Sequence, residues 1–92
     1  MNKIHVKGIK KADIMIYALS TCGWCQKTKT LLNELGIAYD YIDVDELDPD
    51  EKEQVMAEVR RYNPGESFPT CVVNGKGIAG YSPEALKKAC QG

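Results

Sequence analysis

Cys22-Gly23-Trp24-Cys25 constrains this chain more than any other stretch. Two thiols stand where an apolar run ends and a polar helical pattern begins. The run, Ile14-Met15-Ile16-Tyr17-Ala18-Leu19, has the length and residue types of a buried strand. Ser20-Thr21 make a short turn, and residues from about Cys25 to Leu35 read as a helix. Cys22 is therefore expected at the mouth of a strand-to-helix junction, where unpaired N–H groups and the helix dipole favour negative charge. That placement should favour the thiolate, which is the reactive form of cysteine. Cys25 is expected about one helical turn further in, close enough to close a disulfide. A Cys-x-x-Cys beside a βαβ pattern reads as a redox pair and not as a structural staple.

The totals narrow the setting. A chain of 92 residues supports one domain with a modest core. Its 12 basic and 13 acidic side chains leave a net charge of -1, which gives no reason to expect nucleic acid or an anionic membrane as partner. No segment approaches the roughly 20 apolar residues needed to span a bilayer. Lys3, Lys7, Lys10 and Lys11 precede the apolar run, as in a signal peptide. The run is short and no small-residue cleavage pattern follows it, so a strand is the better reading. Four cysteines with one close pair do not look like a secreted disulfide framework. A reducing, cytoplasmic setting and a monomer are expected.

Before the first confident strand, residues 1–12 form an arm. Ile4 and Val6 alternate with polar residues, and Gly8 interrupts, so a short edge strand and a loose arm fit equally. Residues 13–92 are expected to form the domain proper. In the first helix, Leu31, Leu32 and Leu35 should face inward, Thr28 can join them, and Gly36 should cap the end. Residues 37–44 form a second strand rich in aromatic and β-branched side chains. Strand, helix and strand so closely spaced make a right-handed parallel crossover. Pro49 opens a second helix that runs to about Tyr62, with Val55, Met56 and Val59 inward and Asn63-Pro64-Gly65 as its stop. Thr70-Cys71-Val72-Val73 is a third strand, Asn74-Gly75 a hairpin turn, and residues 76–80 the return strand. Ser82 and Pro83 open the last helix, whose inward residues are Ala85, Leu86, Ala89 and Cys90.

This element order resembles the glutaredoxin branch of the thioredoxin superfamily, from about Asp13 to Cys90. The resemblance rests on the Cys22–Cys25 motif, on Phe68-Pro69 before the third strand, and on the hairpin. It implies an α/β thioredoxin fold, β-α-β-α-β-β-α, with a four-stranded mixed sheet flanked by helices. An extra N-terminal strand is compatible with it. The resemblance also implies a cis bond before Pro69; without it, a trans proline opening an edge strand is the plainer reading. In the family the proline loop lies against the dithiol, and the backbone of the residue before the proline, here Phe68, pairs with the substrate chain. Pro69, Thr70, Gly80 and Tyr81 would line the same groove.

Glutathione-using members carry two glycines at the hairpin end, followed by an acidic residue. Here the run is Ala79-Gly80-Tyr81-Ser82. They also often place Lys or Arg three residues before the first cysteine, where this chain has Leu19. Both departures argue against a tight glutathione site. Gly80-Tyr81-Ser82-Pro83-Glu84 lies closer to the Gly-aromatic-x-Pro-acidic run of the redoxins that serve ribonucleotide reductase and draw on thioredoxin reductase. Gly23-Trp24 is not the usual pair between their thiols.

The expected chemistry is dithiol–disulfide exchange. Cys22 attacks a target disulfide, and Cys25 resolves the mixed disulfide. Trp24, an exposed aromatic between the thiols, should contact docked partners or shield the disulfide. Lys27 and Lys29 are expected to be solvated helix residues, and Cys71 and Cys90 to be buried as small hydrophobes. The expected partners are disulfide-containing proteins, with glutathione or thioredoxin reductase as electron donor. No tightly bound cofactor and no metal is expected, because zinc sites usually show two close pairs of ligands. The competing class is a non-redox binding module of the same fold that docks proteins or holds a metal or iron–sulfur cluster.

Overall fold

The computed structural model describes residues 3–91. Five strands form one sheet: β1 (Ile4–Val6), β2 (Ile14–Ala18), β3 (Tyr39–Asp43), β4 (Thr70–Val73) and β5 (Lys76–Ala79). Their spatial order is β1-β3-β2-β4-β5. Three helices accompany them: α1 (Gly23–Glu34), α2 (Pro49–Tyr62) and α3 (Pro83–Gln91). A 3₁₀ turn, Val44–Glu46, joins β3 to α2. β2 runs parallel to β3, as the crossover demands, and antiparallel to β4. The sheet has one strand more than the expected four. Residues 4–6 supply it as an antiparallel edge along β3, with Ile4 opposite Tyr41 and Val6 opposite Tyr39.

The pleat of β2 sorts the core into two clusters, because successive side chains leave a strand on opposite faces. Ile14, Ile16 and Ala18 pack with Cys25, Leu32, Cys71 and Leu86 beneath α1 and α3. Tyr17 packs with Ile42, Val44, Val55 and Val59 beneath α2, and Met15 lies partly buried against them.

Local signals set most element ends. Asp48 caps α2 by accepting the Glu51 N–H at 2.9 Å, and Pro49 takes the first helical position. Asn74 and Gly75 both have positive φ, 51° and 81°, as the two-residue hairpin requires. Gly77 admits no larger residue, because a Cβ there would run into the Tyr62 carbonyl at the end of α2.

Four expectations are corrected. α1 begins at Gly23, not near Cys25, because Cys22 itself is the capping residue, with φ -87° and ψ 117°. The helix ends one residue early, so Leu35 becomes its C-terminal cap and stays 44% exposed instead of facing inward. The second strand is shorter than 37–44; Ile37 instead makes an isolated parallel bridge to Ile9, and Val44 enters the 3₁₀ turn. Lys29 is not solvated. Its ammonium lies 3.3 Å from Asp43 and 3.9 Å from the centre of the Tyr41 ring, with the Lys29 and Asp43 side chains only 11% and 14% exposed.

Candidate active site

The end of β2 and the start of α1 place the two thiols. The Cys22 N–H donates to the Leu19 carbonyl at 3.2 Å, closing the turn through Ser20 and Thr21. The Cys22 carbonyl accepts the first helical bond from Gln26 at 3.1 Å. Its side chain points back over the helix start, where Sγ accepts the Cys25 N–H at 3.2 Å. The first-turn donor that a helix leaves unpaired is thus aimed at sulfur. Asp45 steadies the same turn from the 3₁₀ segment. Its carboxylate accepts the Ser20 N–H at 2.9 Å and the Ser20 hydroxyl, and these bonds hold the carboxyl below its usual range.

The two sulfurs differ in surroundings. Cys22 is half-buried, whereas Cys25 is fully buried within the first turn. Burial first, and the adjoining Cys22 second, push the Cys25 thiol up to about 12. Cys25 therefore keeps its proton at neutral pH in the reduced protein. Cys71 is also fully buried, and burial followed by the proximity of Cys25 raises it to about 12. Cys90 is buried in the same cluster, and burial raises its thiol too. Among the described residues, no group of three or more His, Cys, Asp or Glu side chains is placed to hold a metal ion.

The proline loop meets this junction at the same end of the sheet, because β4 begins beside the end of β2, with Thr70 opposite Tyr17. Phe68–Pro69 is a cis peptide, and the Phe68 carbonyl oxygen lies 4.0 Å from Cys22 Sγ. Gly80, at φ 74°, donates its N–H to the Pro69 carbonyl at 2.8 Å. Trp24 is 56% exposed and stacks on Tyr81 with ring centroids 5.6 Å apart, and Lys27 Nζ sits 4.6 Å above the indole. Cys22, Trp24, Phe68, Pro69, Gly80 and Tyr81 thus gather at one end of the sheet. Thr70 is placed differently. It is fully buried, its hydroxyl donates to the Ser67 carbonyl at 2.7 Å, and it offers a groove no exposed side-chain atom.

Two contributors escaped the sequence reading. Asp45 carries no signal beyond a run of acidic residues. Asn63 reads as a helix stop, yet its side-chain amide reaches into the proline loop. A helix-ending Asn followed within a few residues by the loop and Thr70 is the only local hint.

Comparisons with known proteins show the family and the fold. The family model described as Glutaredoxin matches residues 14–78. An uncharacterised glutaredoxin-like 8.6 kDa protein from the rubredoxin operon of Clostridium pasteurianum is 35% identical over 75 residues, which is 82% of this chain and 93% of that protein. Glutaredoxin 1 of Rickettsia conorii is 40% identical over 43 residues, which is 47% of this chain and 42% of that protein, so the match spans less than half of that relative. Among solved structures, the glutaredoxin of Methanosarcina mazei superposes with a TM-score of 0.89 at 43% identity, covering 96% of this chain and 86% of that one. Methanoredoxin of Methanosarcina acetivorans gives 0.86 at 43% identity, over 90% of this chain and 88% of that one. With a helix-capping cysteine, a second thiol one turn inside and a proline loop closing over them, this chain belongs to the glutaredoxin family and has the fold of a thiol–disulfide oxidoreductase.

Proposed function

We propose that this protein reduces disulfides of other proteins, including mixed disulfides with glutathione, with Cys22 as nucleophile and Cys25 as resolving thiol. The observation that carries the reading is the Cys25 N–H aimed at Cys22 Sγ at 3.2 Å, on a sulfur that lies at the surface end of the pair. Cys22, as thiolate, attacks one sulfur of the target disulfide, and the other sulfur leaves as a thiolate that takes up a proton. Cys25 then gives up its proton and attacks Cys22, releasing the second target thiol. Two electrons pass to the target, and a Cys22–Cys25 disulfide remains. No tightly bound cofactor is needed for this exchange.

The target chain docks on the backbone of Phe68, where Trp24, Pro69, Gly80 and Tyr81 gather. The hairpin end favours thioredoxin reductase over glutathione as electron donor. Leu19 and Ser82 stand where a glutathione site would want a cation and an acid, and Ala79 replaces the first glycine. The protein would act as a cytoplasmic monomer, since its four cysteines include one close pair and do not look like a secreted disulfide framework. A two-armed reduction assay tests the assignment, with glutathione and glutathione reductase in one arm and NADPH and thioredoxin reductase in the other. Turnover in the second arm is expected. Turnover only in the first would reverse the choice of donor, and none in either would remove the redox reading.

A further inference from the structure

We propose that Asn63 is a positioning residue for the disulfide exchange, setting the Phe68 backbone against Cys22 from the far end of α2. This rests on the reading that target chains dock on Phe68. Asn63 is only 6% exposed, and its side chain is fully engaged. Its Nδ2 donates to the Ser67 carbonyl at 3.2 Å, to Ser67 Oγ at 3.0 Å and to Thr70 Oγ1 at 3.0 Å. Its Oδ1 accepts the Gly65 N–H at 3.2 Å. The backbone of Asn63 is fixed as well, donating to Val59 at 2.7 Å and accepting from Glu66 at 2.9 Å.

The peptide plane links these bonds to the site. The Ser67 carbonyl and the Phe68 N–H are opposite ends of one planar unit, so fixing the first aims the second. Two donors converge on that carbonyl, the Asn63 amide and the Thr70 hydroxyl. Thr70 is itself anchored in β4, opposite Tyr17 of β2, so the amide ties the loop to the strand that delivers Cys22. On the other flank, Gly80 holds the Pro69 carbonyl. Phe68 is therefore gripped before and after, and its own N–H and C=O are presented to a partner from a defined position. Only an amide suits this place. Aspartate has the same shape but would turn an acceptor toward the Ser67 carbonyl.

Asn63→Asp and Thr70→Val test the proposal with two substrates: insulin, whose disulfides lie in a peptide chain, and bis(2-hydroxyethyl) disulfide, which has no peptide backbone. Thermal midpoints establish the folded fraction, and iodoacetamide alkylation of Cys22 reports its intrinsic reactivity. Each variant is expected to raise KM for insulin about tenfold, as loss of a buried hydrogen-bond partner would, with kcat and alkylation rate changed less than about twofold. The small disulfide should be reduced as by the parent. If both substrates and the alkylation rate suffer equally once corrected for folding, or if neither KM moves, the positioning role is wrong. Should Asn63→Asp fail to fold, Thr70→Val alone decides by the same criteria. A parent protein inactive on both substrates would instead overturn the docking reading itself.

Discussion

Trp24 stacks on Tyr81, the two ring planes inclined by 29° with centroids 5.6 Å apart. One ring comes from the first turn of α1 and the other from the loop between β5 and α3. The pair joins the dithiol to the hairpin end and forms an aromatic wall beside Cys22. Lys27 above the indole adds a cation to the same wall.

Removing that wall should weaken docking more than chemistry. Trp24→Ala is expected to raise KM for a protein disulfide about tenfold, the scale of an aromatic hot spot worth ~1.4 kcal/mol. The kcat should change by less than about threefold, because the N–H that faces Cys22 Sγ belongs to Cys25. Steady-state kinetics on insulin decides; an unchanged KM would make Trp24 a shield of the disulfide alone.

The two thiols should separate cleanly by variant. Cys25→Ser is expected to accumulate a mixed disulfide with the target, seen by mass spectrometry as one adduct on Cys22. Cys22→Ser should form none and should lose at least about a thousandfold in rate, since the remaining thiol is buried and protonated. An adduct on Cys25 in the Cys22→Ser protein would contradict the assigned roles.

Alkaline pH should loosen the reduced protein. Burial holds Cys71 protonated up to about 12, whereas an unfolded thiol titrates near 9.0. Between those values the native state binds a proton that the unfolded state has lost, so stability falls as pH rises. Each such thiol contributes a slope approaching ~1.4 kcal/mol per pH unit. Urea unfolding from pH 8 to 11 should therefore show a shallower decline for Cys71→Ala than for the parent, by about one proton. Equal slopes would mean that Cys71 is not held protonated by the fold.

The Lys29–Asp43 pair should prove structural. Lys29→Met leaves the Asp43 carboxylate with little water and no cation, which is expected to cost ~3–5 kcal/mol. The double variant Lys29→Met with Asp43→Leu should recover most of that loss, since a paired ion can often be replaced by apolar side chains. Chemical denaturation of the two proteins provides the comparison. A single variant as stable as the parent would show that the pair is solvated in solution.

Much of the fold was legible because its signals are local. Pro49 and Asn63 bound α2, Gly36 follows α1, and Asn74-Gly75 turns the hairpin; each acts through backbone geometry within a few residues. Lys29 was misread for the opposite reason. Charge at a helical position says solvent by default, and only the neighbouring β3, bringing Asp43 and Tyr41, makes burial tolerable.

The sequence by itself determined the two thiols, their spacing and the strand-to-helix junction that sets one at the surface and the other inside. Hydrophobic periodicity and capping chemistry suffice for that, because they operate over one turn of chain. That Phe68, 46 residues later, faces Cys22 was expected only through the family resemblance; tertiary structure decided between edge strand and loose arm for residues 4–6, and it alone showed that Asn63 holds the proline loop. Those meetings depend on how β2 and β4 pair and how α2 packs across them, which no local pattern records.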